Sequence, residues 1–184
     1  MDIVAEEVNF GAAAVFVDGF GKAFSIDIRS WGTRSITKPE NEQSIYGPQE
    51  AFAEMLRTNT ALIRKIIKTE KLIAEGVKIG TISKTRGVLL YINDIANKSI
   101  VNEARRRIKS ITMDYVISID EVEMMIEEKT FGITTQMLKT ERPDRVARAL
   151  TEGKVALILN GSPMALVFPT SIFELSHAAS DDYM

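Results

Sequence analysis

The chain has 184 residues, 45% of them apolar and 26% charged, with a net charge of −2 at pH 7 and no cysteine. That length holds one full core or two small lobes sharing an interface. The charge balance gives no electrostatic reason to expect nucleic acid, which calls for a basic excess or stripe, and the lack of cysteine excludes disulfides and thiolate metal sites.

No apolar run reaches the roughly 18–20 residues that span a bilayer. The opening MDIVAEEVNF carries acids and no basic n-region, so it is not a signal peptide. Taken alone, the chain reads as soluble and intracellular.

In chain order, AAAVFVDGFGKAFSIDI (residues 12–28) is two β-prone runs around Asp18-Gly19, a pair that supplies positive φ and favours a tight hairpin. KVALILNGSPMALVFP (154–169) has the same form around Asn160-Gly161. The two align without a gap: Gly11 with Gly153, Ala14 with Ala156, Gly19 with Gly161, Ala23 with Ala165, and Trp31 opposite Phe173. Either two hairpins look alike by chance, or they form a structural pseudo-repeat; a similarity this short does not decide.

Residues 29–47 are polar and aperiodic, with Pro39, and read as a long connector. Pro48 opens a helical segment, with Phe52, Leu56, Ile63 and Ile66 on one stripe. Asn59 falls on that stripe. It, or Thr58, caps a shorter second helix; otherwise Asn59 is a buried polar group with a partner, or a ligand contact.

GVKIGTIS and RGVLLYIND read as strands separated by Ser83-Lys84-Thr85, the second apolar on both faces over 88–92. Ile100, Ala104, Ile108 and Ile111 mark an amphipathic helix, MDYVIS a short strand, and Ile119, Val122 and Ile126 another helix with Asp120 and Glu121 near its positive end. Strand, helix, strand, helix predicts a βαβα unit with a right-handed crossover. FGITTQMLKT is a connector. After TERPD (140–144), RVARALTEG is a helix with Val146, Ala149 and Leu150 on one face and Gly153 to end it. The C-terminal hairpin follows, then a helix and a polar tail. The expected fold class is α/β, with mixed sheets, hairpins and two small lobes. Residues 1–48 form the first hairpin and connector, and 49–139 the helical segment plus βαβα lobe. Residues 140–184 form a helix-hairpin returning to the first lobe.

Chemistry is sparse. His177 is the lone histidine and reads as a surface residue. DGFGK fails the phosphate-loop spacing, since Phe16 stands where its first glycine belongs. The basic run EARRRIKS is a solvated helix face, or else a contact for an acidic partner or anionic lipid, and DEVEMMIEE is its acidic counterpart. No acid pair is placed for acid–base work. A binding or interaction domain with no cofactor is the expectation, and an enzyme is not.

RSITKPENEQSIYGPQEAFAEMLRTNTALIRKII resembles the signature of A subunits of the GerA family of spore germination receptors. The matching positions are Ile36, Pro39, Glu42, Ile45, Gly47, Pro48, Glu50, Phe52, Glu54, Leu56, Asn59, Leu62, Ile63 and Arg64. TERPDRVARALTEGKVALILNGSPMALVFP is a second match, SKTRGVLLYINDIAN a weaker third, and SDDYM resembles the acidic run before the family's membrane region. Tyr46, Gln49 and Ala51 stand where Arg, a basic residue and Gly are usual, Asn160 replaces Asp, and Met184 replaces Tyr. The chain is therefore a divergent member.

The resemblance implies a soluble N-terminal domain followed by a transmembrane region. It also implies B and C receptor subunits and self-association as partners, in the spore inner membrane with this domain on the cytoplasmic (core) side. Nutrient gating of an ion channel is the implied setting. Two roles follow: receptor assembly and signal coupling, or a nutrient-binding module with a cleft between lobes. The candidate ligand or interface residues are Asn59, Arg64, Glu141, Arg142 and Asp144. Locally, TERPD is a helix entrance: Pro143 suits a first turn, Asp144 the positive helix end, and Thr140 caps from upstream. Glu141 and Arg142 exceed what capping needs and point to a polar link with another lobe or subunit.

Overall fold

The computed structural model describes residues 4, 8, 12–19, 21–27, 38–39, 41–42, 47–127 and 137–169. Trp31, His177, the expected C-terminal helix and tail, and most of the connectors at 29–47 and 131–140 lie outside them. The chain divides into two compact units, Met1–Thr33 and Arg34–Met184.

In the first unit, β1 (Ala12–Phe16) pairs antiparallel with β2 (Ala23–Asp27). Phe16 pairs with Ala23, and Gly19 in the connection between them takes φ 80°. The connection is longer than the tight turn that Asp18-Gly19 suggests.

The second unit is a five-stranded sheet in the order β3-β4-β6-β7-β5. Its strands are β3 (Leu72–Ile79), β4 (Thr85–Ile92), β5 (Leu138–Thr140), β6 (Val155–Leu159) and β7 (Ala165–Phe168). Its helices are α1 (Leu56–Ile66), α2 (Lys98–Lys109), α3 (Ile119–Ile126) and α4 (Pro143–Thr151). Both sheet faces are covered, which is why β4 and β6 read as continuous apolar runs. Leu89, Tyr91, Val155, Leu157 and Leu159 pack under α2 and α3. The alternate residues Leu90, Ile92, Ala156 and Ile158 pack under α1 and α4, where Leu62, Ile63, Val146 and Leu150 meet them.

The α/β class and the two hairpins stand as expected; the hairpins lie in separate sheets, and their aligned positions pair in the same register. Ile158 pairs with Ala165 as Phe16 pairs with Ala23, and Leu157 with Leu166 as Val15 with Phe24. Gly161 takes φ 92° at the place of Gly19.

Two elements differ from expectation. Residues 113–118 form no strand of the sheet, and every strand pair among the described residues is antiparallel, so no βαβα unit forms. Both sides of β4 are taken, by β3 and by β6. The segment instead accepts the turn after β3: Thr81 N–H donates to Met113 O, and Ile82 and Ser83 N–H to Asp114 O, each at 2.9 Å. The second difference is α1, which begins at Leu56 and not at Pro48. Phe52 N–H donates to Glu141 O at 2.8 Å and Ala53 N–H to the Asn59 side chain at 2.8 Å, so that backbone is satisfied outside a helix.

Candidate functional site

A buried polar cluster lies where β5 ends and α4 begins. Pro143 occupies the first turn and Arg142 the N-cap position, with extended φ −96° and ψ 116°. Arg142 makes no side-chain cap bond. The Thr140 hydroxyl accepts the N–H of the N-cap residue Arg142 at 3.1 Å, so Thr140 closes the turn before the helix and does not cap it as the sequence suggested.

Thr140, Glu141 and Arg142 are all buried, and Arg142 is 0% exposed. A guanidinium in that setting requires a carboxylate close by. Asp144 supplies it, with Oδ1 3.1 Å from Nε and Oδ2 2.5 Å from Nη2, a bidentate pair across two residues.

Glu141 faces the other way. Its Oε1 accepts the backbone N–H groups of Asn41 and Glu42 at 2.6 and 2.8 Å. The Glu42 carboxylate in turn accepts the Thr140 hydroxyl, and Arg145 Nη1 at 3.1 Å. TERPD is thus both a helix entrance and a clasp on the chain that arrives from the N-terminal side.

Three further contacts extend the clasp. The Asn59 side chain, 0% exposed, donates to Ala53 O at 2.5 Å as well as accepting the Ala53 N–H. Asn59 is therefore a buried, partnered group inside α1 and caps nothing at its own position. Phe52, 2% exposed, fills the core between α1 and α4. On the β6–β7 turn, Asn160 Oδ1 accepts the Leu56 N–H at 3.2 Å, and Gly161 N–H donates to Glu54 O at 2.7 Å.

Of the five candidate residues, Glu141, Arg142 and Asp144 form the cluster and Asn59 holds the adjoining stretch, whereas Arg64 is exposed in the last turn of α1. Glu42 and Arg145 belong to the same cluster and were not singled out as site residues. The partner of Glu42 is 98 residues away in sequence, and only the shared resemblance segments hinted that the two stretches act together.

On α2, Arg105 and Arg107 turn onto the protein itself, whereas Arg106 and Lys109 stay exposed. Arg105 binds Glu75 of β3 through Nε and Nη2 and lies 5.7 Å from the Tyr91 ring. The Arg105 hydrogen bond holds the Glu75 carboxyl below its ordinary value. Arg106 and Arg107 hold Glu103 down to about 2. Lys139 is raised by Asp120 and then Glu123, which ties β5 to α3.

Among the described residues, no group of three or more His, Cys, Asp or Glu is arranged to hold a metal ion, and no helix is long and apolar enough to cross a membrane. The geometry is that of a joint between chain segments.

The family described as Bacillus/Clostridium GerA spore germination protein matches residues 1–184. The chain belongs to the GerA family. It is 39% identical over 183 residues to the uncharacterized membrane protein YfkQ of Bacillus subtilis, covering 100% of this chain and 36% of that protein. It is 36% identical to spore germination protein B1 of the same organism, covering 100% of this chain and 38% of B1. Against spore germination protein KA the identity is 34%, over 99% of this chain and 34% of KA. This GerA-family chain therefore spans little more than a third of the length of these relatives.

Among solved structures, it is similar to the N-terminal domain of the A subunit of the Bacillus megaterium spore germinant receptor GerK3. The identity is 41% and the TM-score 0.53, covering 66% of this chain and 97% of that domain. The chain is a germinant receptor A-subunit-like domain.

Proposed function

We propose that this chain serves receptor assembly and couples nutrient sensing to the membrane part of a germinant receptor, without catalysing a reaction. The observation that carries the reading is the 41% identity to the GerK3 A-subunit N-terminal domain, spread over 97% of that domain. On this reading B and C receptor subunits and further copies of the A subunit are its partners, and it lies on the core side of the spore inner membrane. The β5–α4 cluster supports a mechanical role: its charged groups are spent on neighbouring chain segments, as a force-transmitting joint requires. A coupling domain needs a two-state element that its partners bias.

The test is titration of the 184-residue chain with amino acids, sugars and nucleosides, followed by NMR and calorimetry. The proposal predicts no saturable, residue-localised shifts. Sub-millimolar binding to one site would replace it with the nutrient-binding reading.

A further inference from the structure

One end of the five-stranded sheet gathers the start of β3, the finish of β4, the start of β6 and the finish of β7. Leu72 pairs there with Ile92, Leu90 with Ala156, and Val155 with Phe168. α1 closes at this end with Ile66, and α2 opens there with Lys98. The turn after α4 joins them, since a Cβ on Gly153 would sit 3.0 Å from Ile95 O.

Two kinds of exposed side chain share this end. Ile66 is 43% exposed and Ile95 51%. Beside them stand the exposed cations Arg64, Lys68 and Lys98, none of them engaged in a hydrogen bond or ion pair among the described residues. Lys71 and Lys154 are spent on Asp94 and Glu152, which leaves Glu70 as the exposed acid without an ion pair there. Lys98 also breaks a local rule. It lies in the first turn of α2, whose positive end favours acids and has none. The whole chain carries −2, so this excess is local and does not follow from composition.

We propose that this end is a docking face for an anionic lipid bilayer. Arg64, Lys68 and Lys98 meet the headgroup phosphates, and Ile66 and Ile95 enter the interface between them. Each cation near an anionic leaflet adds to binding, and aliphatic side chains set among cations add apolar burial. A protein partner fits less well. Protein interfaces are anchored by Trp and Tyr, and the exposed aromatic residues, Phe16, Phe24 and Tyr115, all lie elsewhere. The inference rests on the placement beside the spore inner membrane proposed above. It deepens that reading by naming the face of the second unit that turns to the bilayer.

Co-sedimentation of the 184-residue chain with vesicles tests it. At low salt the chain binds vesicles of phosphatidylglycerol and phosphatidylcholine at least about tenfold more tightly than vesicles of phosphatidylcholine alone. Added salt releases it, because the attraction is screened. Arg64→Gln, Lys68→Gln and Lys98→Gln together lower the apparent affinity at least about tenfold. These side chains hold no partner, so the denaturation midpoint of the triple variant stays at wild type. Ile95→Ser lowers the affinity several-fold with no change of charge. Arg57→Gln removes an exposed cation at the far end of α1 and leaves the affinity within about twofold of wild type. A chain that binds neither vesicle would overturn the inference and leave the face to an acidic protein partner. Equal binding to both compositions would overturn it as well, as would a loss from Arg57→Gln as large as that from the triple variant. Vesicle binding is read without nutrient or spores, so it fails or holds independently of the coupling role, which is read in spores.

Discussion

Glu141 Oε1 accepts the backbone N–H of Glu42 at 2.8 Å, closing a loop between residues 99 apart in sequence. The same glutamate offers its backbone carbonyl to Phe52. One residue therefore fastens both parts of the incoming chain, while its neighbours Arg142 and Asp144 pair with each other underneath.

That underlying pair sets the first prediction. Arg142 is 0% exposed and Asp144 is its bidentate partner. Asp144→Ala leaves a buried guanidinium without that carboxylate and lowers stability by about 3–5 kcal/mol. Urea denaturation of the two chains reads the difference. A loss no larger than that of an ordinary surface substitution would mean that solvent reaches the guanidinium.

Asn59 carries the second. It satisfies both the N–H and the C=O of Ala53 from inside the core. Asn59→Ala removes both bonds and leaves the Ala53 N–H and C=O unsatisfied in the core, at a cost of about 1–3 kcal/mol, with faster amide exchange at Ala53. A stability equal to wild type would show that the Ala53 groups find other partners.

Two glycines on paired strands separate packing from backbone effects. A Cβ on Gly87 would sit 2.7 Å from Leu159 Cδ2, 3.0 Å from Ile158 O and 3.1 Å from Val77 Cγ2. Gly87→Ala forces β4 away from β6 and costs about 1–3 kcal/mol. At Gly76, diagonal to it on β3, a Cβ meets nothing within 4 Å. Gly76→Ala changes stability by no more than about 0.5 kcal/mol. The contrast is read from the denaturation midpoints.

The Glu75–Arg105 contact gives a pH dependence with a definite sign. The folded carboxyl lies below its ordinary value near 4.5 because Arg105 hydrogen-bonds the ionised form. Its stabilisation is present above that value and is lost as pH falls through the lower folded value. Between about pH 6 and about pH 3, the wild-type denaturation midpoint therefore falls more steeply than that of Glu75→Gln. Parallel curves would show that the contact is screened away in solution.

How much of this was legible in the sequence follows from the range of the interactions involved. The hairpins were readable because their register is set locally, by turn residues and alternation, and even the repeat between β1–β2 and β6–β7 survives to the pairing of Phe16 with Ala23 and Ile158 with Ala165. α4 was readable from Pro143 at its start and Gly153, at φ 86°, past its end. Residues 113–118 misled because alternating Met113, Tyr115 and Ile117 has strand period, whereas the neighbours of β4 are decided by chain segments far away. The start of α1 misled because Phe52 lies on the helical stripe; its burial is real, but Asn59 and Glu141 satisfy the backbone there in a non-helical form. Within the site, Pro143 and Asp144 declared themselves locally. The pairing of Glu42 with Thr140 and Arg145 has no local signature at all.

The central claim, that the β5–α4 joint serves coupling in a germinant receptor, is tested most directly in spores. The measurement is the rate of nutrient-triggered germination when the full-length subunit carries Glu42→Gln, with its abundance checked by immunoblot. At wild-type abundance, the account predicts a germination rate changed several-fold from wild type. A wild-type rate at wild-type abundance would contradict it.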